Sequence, residues 1–199
     1  MTIAIVDYGA GNLTSVKKAV DSLGVDSVIT SDPAQVWSAA KLIVPGVGHF
    51  AATEAIEARG LRDAIEATIA RGTPFLGICL GMQWMFGSST EAPDLKGLAL
   101  FPGTCEHFSP AVKAPHVGWN QLEFLGQSRL LQDVPPKCFV YFTHSYRAPI
   151  VEQTVASCEY GGLFSAVVER NHLFGVQFHP EKSGPVGRKL LANFCGLPC

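Results

Sequence analysis

The sequence predicts an α/β fold: a mostly parallel central sheet flanked by helices, with extra antiparallel strands in the second half. Two observations carry this. Up to residue 86, short apolar runs rich in Val and Ile alternate with stretches of helical periodicity, separated by glycine turns. Strands joined through helices pair in parallel and are covered on both faces. Beyond residue 87 the helical signal fades, and Gly, Pro and aromatic residues punctuate short β-like runs.

The elements follow in order. Residues 2–6 read as a buried strand that opens onto Asp7-Tyr8-Gly9. In residues 12–23, Leu13, Val16, Val20 and Leu23 recur at helical spacing, and Gly24 supplies the stop. Residues 25–30 and 41–44 are the next strands, the latter closed by Pro45-Gly46-Val47-Gly48. Residues 50–71 form one or two helices, interrupted at Gly60 and ended by Gly72. A fourth strand spans 74–79, and a helix resumes over 80–86. Later strands are expected at 122–124, 138–142, 154–159 and 164–169. The run 172–178 pairs with the last of these through a hairpin turn at Arg170-Asn171, because Asn tolerates positive φ. A final helix covers 184–194, with Ser183 as N-cap and Pro185 in its first turn. No repeat, low-complexity tract or linker divides the chain, so residues 1–199 are expected to form one domain.

Composition narrows the function classes. Hydrophobic residues make up 47% and charged residues 16%, enough apolar material for a large core and too much for disorder. The net charge of -2, with no Lys/Arg run, gives no footprint for nucleic acid. No apolar run spans a bilayer. The segment MTIAIVDYG lacks a preceding basic stretch, and Asp7 falls where an export signal would still be apolar. A cytoplasmic protein with no membrane partner is expected. The six cysteines, Cys199 among them, form no CxxC pair and in a reducing compartment are free thiols. The histidines show no metal-like spacing, so no metal site is expected. Gly9-Ala10-Gly11 is not a dinucleotide fingerprint, because Thr14 stands where the third glycine belongs. No cofactor is expected.

One cysteine stands apart. Cys79 ends an apolar strand, a helix starts directly after it, and Gly77 and Gly81 flank it. This G-x-C-x-G is the thiol counterpart of the nucleophile elbow, whose sharp strand-to-helix turn lifts the nucleophile above the sheet edge. Side chains at the flanking positions would collide with neighbouring backbone. The helix N-terminus favours a thiolate, and the N–H of Leu80 can point at a developing oxyanion. A buried core cysteine beside structural glycines is the plainer alternative.

A thiol nucleophile needs a base. His179 follows the apolar run 173–178, at the carboxyl end of an expected sheet strand, where ligand chemistry gathers in open α/β sheets. Glu181 lies two residues on, past Pro180, which restricts His179 to an extended backbone. Residues i and i+2 of an extended chain project to one side, so Glu181 can hold the imidazole tautomer. Alone, His-x-Glu would read as a polar strand end; the elbow gives it weight. The turn Gly46-Val47-Gly48 lets backbone N–H groups approach a ligand, or is an ordinary tight turn. His49 reads as a helix cap, and His144 as a strand end beside Ser145 and Tyr146.

In combination these segments are recognisable. PGVGHF (45–50), GICLGMQ (77–83), VGWN (117–120), YFTHSYR (141–147) and FGVQFHPEKS (174–183) occur in order. The chain resembles the class I glutamine amidotransferases, and among them the glutaminase subunits of imidazole glycerol phosphate synthase. The likeness runs from DYGAGNL (7–13) to the final helix, with no departure at a matched catalytic position. It implies that Cys79 attacks the carboxamide of L-glutamine to form a thioester, that His179 moves the protons, and that Glu181 orients His179. It implies oxyanion donors at Leu80 and at Val47, on a loop whose peptide is thought to turn only in the active state. It implies a glutamine pocket lined by Gly48, Gln83, Ser145 and Tyr146. It also implies a (β/α)8-barrel cyclase partner, met by Trp119, Asn120, Tyr141 and Lys182. Two other readings stand beside it: a glutaminase feeding another synthase, or a γ-glutamyl peptidase; and a non-catalytic binding module on the same fold.

Overall fold

The first apolar run forms β1 (Ile3–Val6), and its side chains alternate between two cores, Ile3 and Ile5 in one, Ala4 and Val6 in the other. A strand buried on both faces belongs inside a helix-covered sheet. The computed structural model of the protein describes residues 2–198. After β1 come α1 (Leu13–Asp21), β2 (Ser27–Thr30), α2 (Pro33–Ser38) and β3 (Lys41–Gly46). A 3-10 turn at Phe50–Thr53 leads into α3 (Glu54–Ala58), α4 (Leu61–Ala70), β4 (Phe75–Cys79) and α5 (Leu80–Trp84). The later half supplies β5 (Ser88–Ser89), β6 (Thr104–His107), β7 (His116–Gln121), β8 (Glu123–Phe124), β9 (Phe139–His144) and β10 (Tyr146–Arg147). Then follow β11 (Thr154–Glu159), β12 (Leu163–Arg170), β13 (Leu173–Val176), a 3-10 turn at Pro180–Lys182 and α6 (Gly184–Cys195).

The main sheet has eight strands in the order β2-β1-β3-β4-β13-β12-β11-β8. The first five are parallel and the rest antiparallel, so the predicted fold class holds. Val16 and Val20 of α1 and Leu190, Leu191 and Phe194 of α6 pack on one face. Val36 of α2, Ile56 of α3, Ile65 of α4 and Leu80 of α5 pack on the other. Side sheets β10-β6-β5 and β7-β9 stand next to the main one. No helix among the described residues is long and apolar enough to cross a membrane.

Several expectations change in detail. Residues 50–71 break into a 3-10 turn and two helices, with Gly60 at φ 67 between the helices. Helix α2 was not anticipated: six residues show little periodicity, though the Asp32 carboxylate accepts from Ala34 N at 2.9 Å and Pro33 opens the turn. Strand β7 was also missed. The hairpin turn falls on Asn171-His172 rather than Arg170-Asn171, with Asn171 at φ 53. Ser183 stands at the N-cap position of α6 but does not cap it. Its hydroxyl donates to His179 O at 2.7 Å and accepts from Tyr141 N at 3.0 Å, so tertiary bonds claim it.

Candidate active site

The carboxyl ends of the adjacent strands β1, β3, β4 and β13 carry Tyr8, Gly46, Cys79 and His179 in one neighbourhood. Cys79 ends β4 opposite Gly46 of β3 and precedes α5. Its backbone adopts φ 53 and ψ -106, a left-handed value that costs a non-glycine residue free energy and concentrates at functional sites. The flanking glycines are required by contact. A Cβ on Gly77 would sit 2.6 Å from Gly81 O, and one on Gly81 would sit 1.8 Å from Val44 O. The elbow forms because α5 turns directly back over β3 and β4.

The Cys79 side chain is 5% exposed and lines a cleft of about 310 Å³, at the small end of the roughly 300–1,000 Å³ usual for ligand clefts. Gln177 Nε2 donates toward Cys79 Sγ at 3.6 Å, and the thiol faces Thr143 O at 4.0 Å. A larger hollow of about 540 Å³ around Arg129 lies between Phe124 and Pro136 and is lined by no cysteine or histidine.

His179 is held from both sides. Its N–H donates to Tyr141 O at 2.9 Å, and Nδ1 lies 2.8 Å from Glu181 Oε1. Both side chains are almost fully buried. The pair does not form along an extended strand, as expected from the sequence. His179 is extended, but Pro180 begins a 3-10 turn that brings the carboxylate back to the ring. His179 Nε2 makes no aligned hydrogen bond and is free to meet a reacting atom. Burial lowers the imidazole pKa, but hydrogen bonding and charge from Cys79 and Glu181 outweigh it and raise it to about 9. Cys79 and Glu181 thus both favour the protonated ring, and no aligned hydrogen bond joins His179 Nε2 to the sulfur.

Gly48, Leu80, Gln83, Ser145 and Tyr146 line the cleft with Cys79. Val47, whose side chain is exposed, stands between Gly46 at the end of β3 and the cleft residue Gly48. Gln83 is buried and donates to Tyr146 O at 2.7 Å and to Gln177 Oε1 at 3.2 Å. Gln83, Gln177 and Cys79 are therefore linked by hydrogen bonds. Two participants escaped the sequence reading. Gln177 sat unmarked inside an apolar run. Glu91 lies in a loop without regular structure, yet it lines the cleft and accepts from Phe50 N at 2.7 Å. Neither carried a local signal.

Trp119, Asn120, Tyr141 and Lys182 gather nearby on another surface. Trp119 is 55% exposed, packs edge-on to Tyr141 with centroids 6.1 Å apart, and Lys182 Nζ lies 5.8 Å over the Tyr141 ring. The half-buried Asn120 amide donates to Glu159 O at 3.0 Å and meets His116 Nε2 at 3.3 Å. His116 Nδ1 in turn faces His144 Nε2 at 3.3 Å.

Known proteins match along the whole fold. Residues 4–196 match the family model for glutamine amidotransferase class-I. The imidazole glycerol phosphate synthase subunit HisH of Methanopyrus kandleri is 48% identical over 197 residues, covering 97% of this chain and 96% of its own. That of Moorella thermoacetica is 45% identical over 195 residues, covering 96% and 93%. A solved glutamine amidotransferase superposes with a TM-score of 0.76 over 98% of this chain and 99% of its own, at 17% identity, a likeness of fold. This chain belongs to the class-I glutamine amidotransferases, in the HisH family of imidazole glycerol phosphate synthase subunits.

Proposed function

We propose that the chain hydrolyses L-glutamine through Cys79, His179 and Glu181 and passes the ammonia to a (β/α)8-barrel cyclase subunit. The observation that carries this is the strained Cys79 elbow, which lines a cleft, together with a buried His179–Glu181 pair whose imidazole pKa is shifted upward by the Cys79 sulfur as well as by Glu181. Cys79 gives its thiol proton to His179 Nε2, and its Sγ attacks the side-chain carbonyl carbon of glutamine. The oxyanion takes the N–H of Leu80, whose residue lines the cleft, and that of Val47 once its loop turns inward. The tetrahedral intermediate collapses, the C–N bond breaks, and the nitrogen leaves as ammonia with a proton from His179. A water then gives its proton to His179 and attacks the thioester. The C–S bond breaks, glutamate leaves, and His179 returns its proton to Sγ to restore the thiol. Glu181 fixes the tautomer and steadies the imidazolium.

Gly48, Gln83, Ser145 and Tyr146 form the amino-acid pocket. Glu91 supplies a carboxylate facing the cleft, suited to the α-ammonium group of glutamine. The cyclase joins the ammonia to a phosphorylated ribulosyl aminoimidazole carboxamide ribonucleotide, giving imidazole glycerol phosphate and an aminoimidazole carboxamide ribonucleotide for histidine biosynthesis. Trp119, Asn120, Tyr141 and Lys182 face that partner. Coupling has a chemical reason, since ammonia released into neutral water is protonated and no longer nucleophilic. On this reading residues 1–199 act as one cytoplasmic glutaminase domain, with no metal or cofactor.

The test is labelling by a glutamine-analogue electrophile, in complex with a candidate barrel subunit and its nucleotide, followed by peptide mass spectrometry. Modification of Cys79 and ammonia release that rises with partner and nucleotide are expected. An unlabelled Cys79 would favour the binding-module reading, and partner-independent turnover a free-standing amidase.

A further inference from the structure

Gln177 places an amide in the interior of the sheet. It follows β13 and is 0% exposed, with Val176 before it and Phe178 after it equally buried. An amide in such a place costs free energy unless its polar ends are bonded. Methionine would fill nearly the same space without that cost. Both ends of the Gln177 amide are bonded, and one of them meets the nucleophile. Its Oε1 accepts from Gln83 Nε2 at 3.2 Å, and its Nε2 donates to Cys79 Sγ at 3.6 Å.

The neighbouring bonds fix which way this amide faces. Tyr146 O can only accept, so the Gln83 group 2.7 Å from it is the NH2. The same NH2 meets Gln177, which must turn its oxygen there. The Gln177 NH2 is thereby aimed at the sulfur. The backbone supplies the position: β13 runs beside β4 with Val176 opposite Ile78, so one residue further sets Gln177 beside Cys79. Thr143 O, 4.0 Å from the sulfur, is an acceptor that suits a thiol and disfavours a thiolate. The Gln177 N–H does the reverse, because a hydrogen bond to the charged form of a group favours that form.

We propose that Gln177 is a further catalytic residue of the amide hydrolysis, whose side-chain NH2, held in direction by Gln83, stabilises negative charge on Cys79 Sγ. The inference rests on the glutaminase reading above. That charge arises twice: when the thiol proton has passed to His179 before attack, and when the C–S bond breaks before His179 returns the proton.

Gln177→Met in the complex with the barrel subunit and its nucleotide tests it, because methionine matches glutamine in length and carries no donor. Glutamine turnover is measured together with the pH profile of Cys79 alkylation by iodoacetamide, read by peptide mass spectrometry. The kcat is expected to fall about tenfold and the alkylation profile to move about one unit to higher pH, as loss of a hydrogen bond to a charged group does. Gln177→Glu keeps an acceptor for Gln83 but sets a carboxylate against the sulfur, and a larger shift in the same direction is expected; it decides the matter if Gln177→Met does not fold. Alkylation profiles that match the wild type overturn this proposal alone, and a change confined to KM then marks Gln177 as a support for Gln83. A kcat within about twofold of an active wild type overturns it as well. A wild-type complex that leaves glutamine intact overturns the glutaminase reading and this proposal with it.

Discussion

His179 Nδ1 and Glu181 Oε1 stand 2.8 Å apart with both side chains shut away from water, while His179 Nε2 and Glu181 Oε2 have no hydrogen-bond partner. One edge of the ring is thereby fixed and the other left for the reaction. His179→Ala removes the proton carrier and is expected to lower glutamine turnover about 10²–10⁴-fold. Glu181→Ala removes only the group that orients it, and the loss is expected to be smaller by about ten- to a hundredfold. Steady-state ammonia release in the complex checks both, and equal losses would contradict the division of roles.

The elbow glycines make a stability prediction. A methyl at Gly81 would overlap Val44 O, backbone that cannot move aside without displacing β3. Gly81→Ala is expected to cost about 3 kcal/mol or more, the upper range for overpacking. Gly126→Ala, where a Cβ meets nothing within 4 Å, is expected to change stability by less than about 0.5 kcal/mol. Urea unfolding of the two variants provides the comparison.

His144 predicts a pH dependence of stability. Burial, with smaller contributions from nearby His116 and His179, lowers its pKa to about 3 against a partly opposing hydrogen bond to Tyr146 O. The folded chain therefore resists protonation that the unfolded chain accepts from about pH 6.5 downward. Stability from this group is intact above that pH and declines as pH falls toward 3. By pH 5 the loss is about 2 kcal/mol. Unfolding midpoints in urea at pH 7 and pH 5 measure it, and a His144→Gln variant should show a shallower decline.

Trp119 predicts a separation of binding from folding. More than half exposed, it contributes little burial to the isolated chain. Trp119→Ala is expected to leave the thermal midpoint nearly unchanged and to weaken binding of the barrel subunit by about 2 kcal/mol or more, as loss of an aromatic anchor does. Calorimetric titration decides it, and an unaltered affinity would remove Trp119 from the interface.

What the sequence displays and what it conceals follow from the range of the interactions. Helix α1 was readable because Val16 and Val20 repeat at helical spacing on one buried face. The elbow was readable because strand, cysteine and glycines are contiguous. Strand β7 was not, because only His116 of its six residues is buried and its partner β9 lies far along the chain. Gln177 meets Cys79 across 98 residues, and Glu91 reaches Phe50 N across 41. No local period encodes either contact. The 3-10 turn at Pro180 shows the same limit: the His179–Glu181 pair was anticipated, but the backbone that makes it was not.

The most direct measurement of the central claim is synthesis by a complex containing Cys79→Ala, supplied in parallel with glutamine and with ammonium salts. The account predicts that the glutamine-driven reaction disappears while the ammonium-driven one continues at the wild-type rate. Retained glutamine-driven synthesis would contradict Cys79 as the nucleophile.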